Sequence, residues 1–426
     1  MQIDKKSAVI TALIFGLFVA GCSKSNTGAS QAPAPAVSPQ AQQAPQAVTA
    51  PAAPSGNAAP ATQPQGGHSP SPVAEAPHQG KLKVDPRQKF THYRVGDMNV
   101  KAIYADGKTM WIGTSGGGVI RYDTRDDSFK VFDNSNGLLS NGAFYVGKIK
   151  GHIAVGTYGG GMSLLQADGV SWKNYNIPQG VGDPFVYGAI EAKNGDIWVA
   201  TWSGVNRVRG GNLDDPEKWD LFTVENTHGG LPNDWVYGLA EGKNGEIWLA
   251  TEGGVARFAN GKWSNWNHEK GIGAPYEKVK SAIAFKNDPG RFSEHHAQQK
   301  KEMGLGGVDI SYNPNYIIAL TVGNDGQVWA GTWGGGLSRF DGKQWKTYTT
   351  VEGLPGNHVF MLHKDPDGQI WIGTNKGLAL WQDGKFKVLT SADGLLADNV
   401  FAMETTPGGG KWIGSYGGVA YLRPAN

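Results

Sequence analysis

The chain has 426 residues, 63 of them glycine, and a formal net charge of +2 at neutral pH. This near-neutral balance gives no basis for binding nucleic acid, and a single cysteine, Cys22, excludes a disulfide framework. All 15 tryptophans lie between Trp111 and Trp412, so a hydrophobic core is expected only from about residue 85 onward.

Residues 1–21 are predicted to be a secretory signal peptide. Two lysines precede an apolar run over residues 8–20, which is too short to span a membrane. The run ends in Val19-Ala-Gly-Cys22, which resembles the lipobox of bacterial lipoproteins. That resemblance implies export, cleavage before Cys22 and attachment of fatty acyl chains such as palmitate to it. An ordinary signal peptide with an incidental cysteine is the alternative. By the sorting rule of that family, Ser23 after the cysteine favours the outer membrane over the inner one.

Residues 22–84 are predicted to be a disordered tether. They consist mainly of Ala, Pro, Gln and Ser with almost no large apolar side chain. Such a segment buries too little apolar surface to offset the entropy of ordering its backbone. We therefore expect the folded part, residues 85–426, to be held to the membrane by a long flexible linker.

One four-residue motif recurs through the folded part and ends in Thr or Ser. Its copies are Trp111-Ile-Gly-Thr114, Ala154-Val-Gly-Thr157, Trp198-Val-Ala-Thr201, Trp248-Leu-Ala-Thr251, Trp329-Ala-Gly-Thr332, Trp371-Ile-Gly-Thr374 and Trp412-Ile-Gly-Ser415. Their last residues are 43, 44, 50, 81, 42 and 41 positions apart. A period in the low forties is that of a four-stranded propeller blade.

Turn signals within each period support four short strands without a helix. Pairs such as Asn194-Gly195 and Asp367-Gly368 precede the motif, and Asn or Asp followed by Gly closes tight hairpins. Blades of this kind must pack in a ring to bury both faces. The sequence therefore predicts an all-β, seven-bladed β-propeller of four-stranded antiparallel blades.

The two ends of the repeats predict how the ring closes. The last copy stops after its third strand, at Tyr421, and a spare strand over residues 89–93 precedes the first copy. Pairing these two segments would complete the last blade and remove both exposed edges. The doubled spacing of 81 leaves an eighth, degenerate blade as the alternative to an insertion at about residues 275–314.

The copies, best represented by residues 367–374 (Asp-Gly-Gln-Ile-Trp-Ile-Gly-Thr), resemble the two-component regulator propeller family. That family is found in periplasmic sensor regions of bacterial signalling proteins, and the resemblance covers roughly residues 88–424. It implies a propeller fold and an extracytoplasmic sensing or binding role. No kinase, transmembrane or DNA-binding segment follows the repeats here, so the resemblance leaves open whether the chain takes part in signalling.

Patterns that suggest catalysis or metal binding have simpler explanations. Gly113-Thr-Ser115-Gly-Gly117 fits the nucleophile-elbow pattern, but it belongs to the repeat, and other residues replace Ser115 in the other copies. His268-Glu269 lacks the second histidine of a zinc protease motif. We therefore predict no catalytic residues, no metal site and no cofactor.

The residue after each motif and the crossing into each first strand are expected at one face of the ring. These positions predict an aromatic binding surface made of Tyr158, Trp202, Trp235, Glu252, Trp333, His358 and Tyr416. The favoured function is a membrane-anchored binding, sensor or scaffold propeller that recognises a protein partner or an envelope ligand.

Two alternatives to the binding function remain. The first is a lyase or glycosidase acting on envelope or extracellular polysaccharide, with Asp234, Asp398, Glu252 and His358 as acid and base groups. The second is a purely structural scaffold.

Overall fold

The computed structural model describes residues 89–284, Lys301 and 311–424. The predicted signal peptide, Cys22 and the whole of the predicted tether lie outside these residues. Among the helices of the described ranges, none has the length and apolar character needed to cross a membrane.

The described chain is built from antiparallel four-stranded blades. Five of the blades use four consecutive strands each. They are β5–β8 (Ala143–Ile149, His152–Thr157, Met162–Leu165, Trp172–Tyr175), β9–β12 (Val186–Glu191, Ile197–Thr201, Gly204–Val208, Trp219–Phe222), β13–β16 (Val236–Glu241, Ile247–Thr251, Gly254–Ala259, Lys262–Trp266), β17–β20 (Asn313–Val322, Val328–Trp333, Leu337–Phe340, Trp345–Tyr348) and β21–β24 (Val359–Lys364, Ile370–Thr374, Gly377–Gln382, Lys385–Leu389). We number them blades 2 to 6.

The remaining strands form one six-stranded sheet that contains blades 1 and 7. It comprises β1 (Phe90–Asp106), β2 (Thr109–Thr114), β3 (Val119–Asp123), β4 (Phe129–Phe132), β25 (Val400–Thr405) and β26 (Lys411–Leu422). Strands β1 and β26 are long, and the two halves of each strand pair with different neighbours. The first half of β1 pairs with the second half of β26, from Phe90 opposite Leu422 to Arg94 opposite Gly418. Its second half pairs with β2 and opens blade 1.

The innermost strands lie next to one another around a closed circle, including β25 next to β1. The predicted propeller with a closing N-terminal strand is therefore confirmed, and the described residues contain seven blades. The strand that closes blade 7 is also the strand that starts blade 1.

The repeated tryptophan fills the space between neighbouring blades. Trp198 of blade 3 is 2% exposed and packs with Val236 and Leu249 of blade 4. In four blades the tryptophan also lies directly opposite an arginine of the next strand: Trp111 and Arg121, Trp198 and Arg207, Trp248 and Arg257, Trp329 and Arg339. The arginines lie over aromatic rings, Arg339 with its guanidinium carbon 5.3 Å from the Trp329 ring centroid. Such cation–π contacts stabilise the outer layer of the core.

Helices are short and confined to connections. Helix α1 (Tyr276–Val279) is a single short α-helix, and Lys301 is also helical. The described 3-10 turns are Ile177–Gln179, Arg209–Gly211, Pro216–Lys218, His268–Lys270, Lys280–Ala282, Thr350–Glu352 and Ser391–Asp393. Helix α1 lies between β16 and β17, where the insertion at about 275–314 was predicted. Ala274, Val279, Ile283 and Tyr312 form a small apolar cluster there. Residues 285–300 and 302–310 of the predicted insertion lie outside the described residues.

Candidate functional site: an axial aromatic pocket

The last residue of the repeated motif holds the turn between the second and third strands of a blade. In six blades a fully buried threonine donates its hydroxyl to a glycine carbonyl across this turn, at 2.8–2.9 Å: Thr114, Thr157, Thr201, Thr251, Thr332 and Thr374. Gly336 closes one such turn with φ of +83°, and a Cβ there would lie 2.3 Å from the carbonyl oxygen of Tyr348. Only glycine fits that position.

The residue after this threonine, which we call the turn position, is fixed against the crossing into the same blade. Its amide donates to a carbonyl of that crossing in blades 1, 2, 3, 4 and 6, for example Ser115 to Asn99 at 2.9 Å and Glu252 to Trp235 at 3.1 Å. The turn and the crossing of each of these blades therefore meet at the same end.

A β-bulge interrupts the innermost strand of every blade at the same place. Two residues of that strand lie opposite a single residue of the second strand, so the extra residue is not part of the regular pairing. We call the seven extra residues the bulge ring: Lys101, Phe144, Tyr187, Tyr237, Ile318, Phe360 and Phe401. Each has a partly buried side chain.

All seven residues of the bulge ring line one pocket of about 640 Å³, which we call the axial pocket. Its other lining residues are Asn99, Tyr158, Trp202, Trp235, Tyr316, Trp333 and Tyr416. Neighbouring rings contact one another around the wall, as Phe144 and Tyr187 do with centroids 5.3 Å apart, and Phe360 and Phe401 at 5.2 Å. The wall is thus almost entirely aromatic, and it is contributed by all seven blades.

Five of the seven predicted site residues line this pocket: Tyr158, Trp202, Trp235, Trp333 and Tyr416. Tyr158 is 48% exposed, whereas Trp333 is only 9% exposed. The predicted residues Glu252 and His358 are not lining residues; they are 1% and 0% exposed. A turn or crossing position alone therefore does not determine whether a side chain reaches the pocket.

Glu252 lies behind the aromatic wall. Its carboxylate accepts a hydrogen bond of 3.0 Å from the Tyr237 hydroxyl. Burial raises the pKa of Glu252 to about 8, although the Tyr237 hydrogen bond acts in the opposite direction. Burial also raises the pKa of Tyr237 and Tyr316 above the ordinary tyrosine value. Near neutral pH, then, this side of the pocket carries little negative charge.

Trp333 and His358 are covered by residues that precede β17. The Trp333 indole donates to the Ser311 hydroxyl at 2.6 Å, and His358 Nε2 lies 2.8 Å from the Ser311 carbonyl oxygen. The connection from blade 4 to blade 5 therefore returns over the pocket end of blade 5. This contact explains why two residues predicted at the open surface are buried.

The acid and base groups of the enzyme alternative do not converge on the pocket. None of Asp234, Asp398, Glu252 and His358 is among its lining residues. Asp234 accepts the amide of Val224 at 2.7 Å, and Asp398 accepts the amide of Ser391 at 2.6 Å. Asn141, Asn315 and Asn357 make the same bond in other blades. These Asp and Asn residues hold the crossing loops in place.

No group of three or more His, Cys, Asp or Glu residues within the described ranges is arranged to hold a metal ion. The described groups around the axial pocket are suited to stacking, apolar contact and recognition of one charge. They offer surface for binding rather than a paired acid and base.

The sequence interpretation missed the bulge ring. Its signal is an apolar residue followed by an aromatic one at the start of the innermost strand, as in Ala143-Phe144, Val186-Tyr187 and Val359-Phe360. Such doublets break the alternation of a regular strand, and their repetition at one place in several blades indicates a shared bulge.

Comparison with known proteins identifies the repeat. Residues 230–253 and 353–376 match the family of two-component regulator propellers. Two of the blades therefore contain repeats of this type, as the sequence resemblance predicted. No curated protein matches the chain with significance.

Solved structures show the same fold. The extracellular domain assigned to a hybrid two-component system of B. thetaiotaomicron is 21% identical with a TM-score of 0.59, and the match covers 78% of this chain and 39% of that one. The extracellular domain assigned to a one-component system of the same organism is 18% identical with a TM-score of 0.57, covering 80% and 40%. This chain therefore spans about 40% of the length of these relatives.

A third similar structure is a catalytically inactive variant of virginiamycin B lyase from Staphylococcus aureus, solved with quinupristin. It is 12% identical with a TM-score of 0.55, and the match covers 79% of this chain and 99% of that one. At these identities, the likeness establishes the propeller fold.

Proposed function

We propose that this chain is an exported, lipid-anchored binding propeller that takes a ligand into the axial pocket. The observation that carries the proposal is the bulge ring, in which every blade sends one side chain into the same cavity. A bulge disturbs regular pairing, and bulges are frequent next to binding sites, where they redirect a side chain. Seven equivalent bulges leave a largely apolar surface accessible in the middle of the ring.

The repeat family supports an extracytoplasmic sensing or scaffold role. The similar structures from B. thetaiotaomicron are extracellular domains of signalling proteins. The lipobox-like segment ending in Cys22 would place the propeller on the outside of a bacterial membrane, with the outer membrane as the favoured site. A protein segment or an envelope molecule then becomes the natural class of ligand.

Photo-crosslinking at the pocket tests this function. We expect p-benzoylphenylalanine in place of Phe144 to form an adduct with the bound ligand in cells, because Phe144 lines the pocket. The replacement exchanges one aromatic side chain of the wall for another. The same amino acid at Val388, which is 38% exposed on the outermost strand of blade 6, serves as the matched control. Mass spectrometry of the purified chain detects a small ligand, and a gel shift detects a protein partner.

An adduct at Phe144 that is absent at Val388 would support the binding function. Equal labelling at both positions, or none at Phe144, would contradict it and favour the purely structural scaffold.

A further inference from the structure

The bulge ring contains a single charged residue. Six of its members are aromatic or aliphatic, and the seventh, in blade 1, is Lys101. Its ammonium nitrogen lies 4.4 Å from the centroid of the Phe401 ring in blade 7. Lys101 is the only cation among the residues that line the axial pocket.

No described carboxylate neutralises Lys101. The pocket has no acidic lining residue, and no ion pair to Lys101 is present among the described side chains. A charged group removed from water is unfavourable without a counter-charge, and one aromatic ring supplies only part of the compensation. In agreement, burial lowers the pKa of Lys101.

The Tyr237 side of the pocket supplies no carboxylate that would pair with Lys101 in place of a ligand. Glu252 is bonded to Tyr237 on this side of the wall, and because burial raises its pKa to about 8, its carboxyl group is mostly neutral at pH 7. The polar side chain of Asn99 lies two positions before Lys101 and also lines the pocket. Polarity is therefore concentrated at blade 1, and the wall around it is apolar.

We infer that the axial pocket selects a small molecule with a flat aromatic body and one carboxylate, and that this carboxylate pairs with Lys101. The inference rests on the proposed binding function and specifies its ligand class. The aromatic wall would stack on the body, and the volume of about 640 Å³ admits such a molecule. A carboxylate would supply the counter-charge that Lys101 lacks.

A matched pair of probes tests the inference by calorimetry: 2-naphthylacetate and the neutral 2-naphthylacetamide. We expect the wild-type chain to bind the carboxylate at least about tenfold more tightly than the amide, as one charge-assisted contact allows. Lys101→Met should abolish this difference while leaving binding of the amide within about threefold of wild type. Lys101→Arg should retain the preference, and Lys385→Met, at an exposed outer-strand position, should leave it unchanged.

Three results would overturn the inference. They are equal binding of the two probes by the wild type, a carboxylate preference that persists in Lys101→Met, and tighter binding of 2-naphthylmethylammonium than of 2-naphthylacetate. Failure to bind any of these probes would also reject this ligand class. The crosslink at Phe144 remains a separate measure of the binding function, so failure of the inference and failure of the function are distinguishable.

Discussion

Glu252 shows how one residue can differ from its equivalents in the other blades. The turn position carries Tyr158, Trp202, Trp333 and Tyr416 in four blades, and all four line the axial pocket. In blade 4 the same position holds a carboxyl group that is 1% exposed and bonded to Tyr237. Its raised pKa means that the folded chain keeps a proton that the unfolded chain releases.

This difference in pKa between the folded and the unfolded chain makes the free energy of unfolding depend on pH. The ordinary pKa of Glu252 is 4.5 and the folded value is about 8, so the stability is full below about pH 4.5 and is lost as the pH rises toward 8. Glu252→Gln mimics the protonated group. We expect the free energy of unfolding of the wild type to fall by about 3 kcal/mol relative to this variant between pH 5 and pH 8.

Urea unfolding at several pH values measures this difference. Glu404, with a pKa raised to about 7 by burial, and His363, with one lowered to about 4, also titrate, but they are common to both chains and cancel. Glu217→Gln, at an exposed position, is the control. If the free energy of unfolding changes with pH in the same way for the wild type and for Glu252→Gln, the pKa of Glu252 is not raised in the folded chain and the prediction is wrong.

The position of a side chain relative to the pocket could be predicted from the sequence only where the neighbouring structure follows the repeat. Trp202 and Tyr416 could be assigned to the pocket because the motif sets their place. Trp333 could not be placed as accurately, because its burial depends on Ser311, which comes from a connection with no counterpart in other blades. Lys101 was missed because a bulge reverses the expected direction of a side chain.

The first half of β1 is an element whose partners are remote in sequence. Phe90 and Tyr93 are 7% and 8% exposed. Phe90 belongs to the apolar cluster between blades 6 and 7, and Tyr93 to the one between blades 7 and 1. Without this half-strand, the edge of β26 would be unpaired. Closure of the ring therefore depends on a few residues at the start of the fold.

Two truncated chains test this dependence. A chain that begins at Lys89 keeps the closing half-strand, and a chain that begins at Val95 lacks it. We expect the free energy of unfolding of the shorter chain to be lower by at least about 3 kcal/mol, because two buried aromatic side chains are lost. Urea unfolding compares them, and a synthetic peptide of residues 89–94 should partly restore the shorter chain. Equal unfolding midpoints would mean that closure contributes little.

This element could be predicted because the strand count at the two ends was complementary. The period and the turn signals also predicted the four strands of each blade. The doubled spacing between Thr251 and Thr332 was compatible with an insertion or a further blade, since spacing alone does not distinguish them. Among the described residues, strand pairing assigns seven blades.

At the scale of the whole molecule, a binding domain and a membrane anchor are proposed for one chain. The anchor rests on Cys22 and the segment before it, and the tether on residues 22–84. If both proposals hold, the axial pocket is kept near the membrane without the propeller itself entering the bilayer.

Cys22→Ser tests the anchor. Since the thiol is the predicted site of acylation, we expect the variant to lose incorporation of labelled palmitate and to leave the membrane fraction. Fractionation of cells and labelling of the immunoprecipitated chain measure these effects, with Ser25→Ala as a matched control nearby. Retention of the variant in the membrane fraction without label would instead indicate attachment through a partner.

The bulge ring has a consequence for how this protein can change over time. Each ring residue lies outside the regular pairing, while its neighbours, such as Val100, Val236 and Val400, are fully buried. A substitution in the ring thus alters the lining of the cavity and spares the packing between blades. Seven positions, one per repeat, can accumulate mutations separately, so descendants of this chain could acquire new ligands while inheriting the same scaffold.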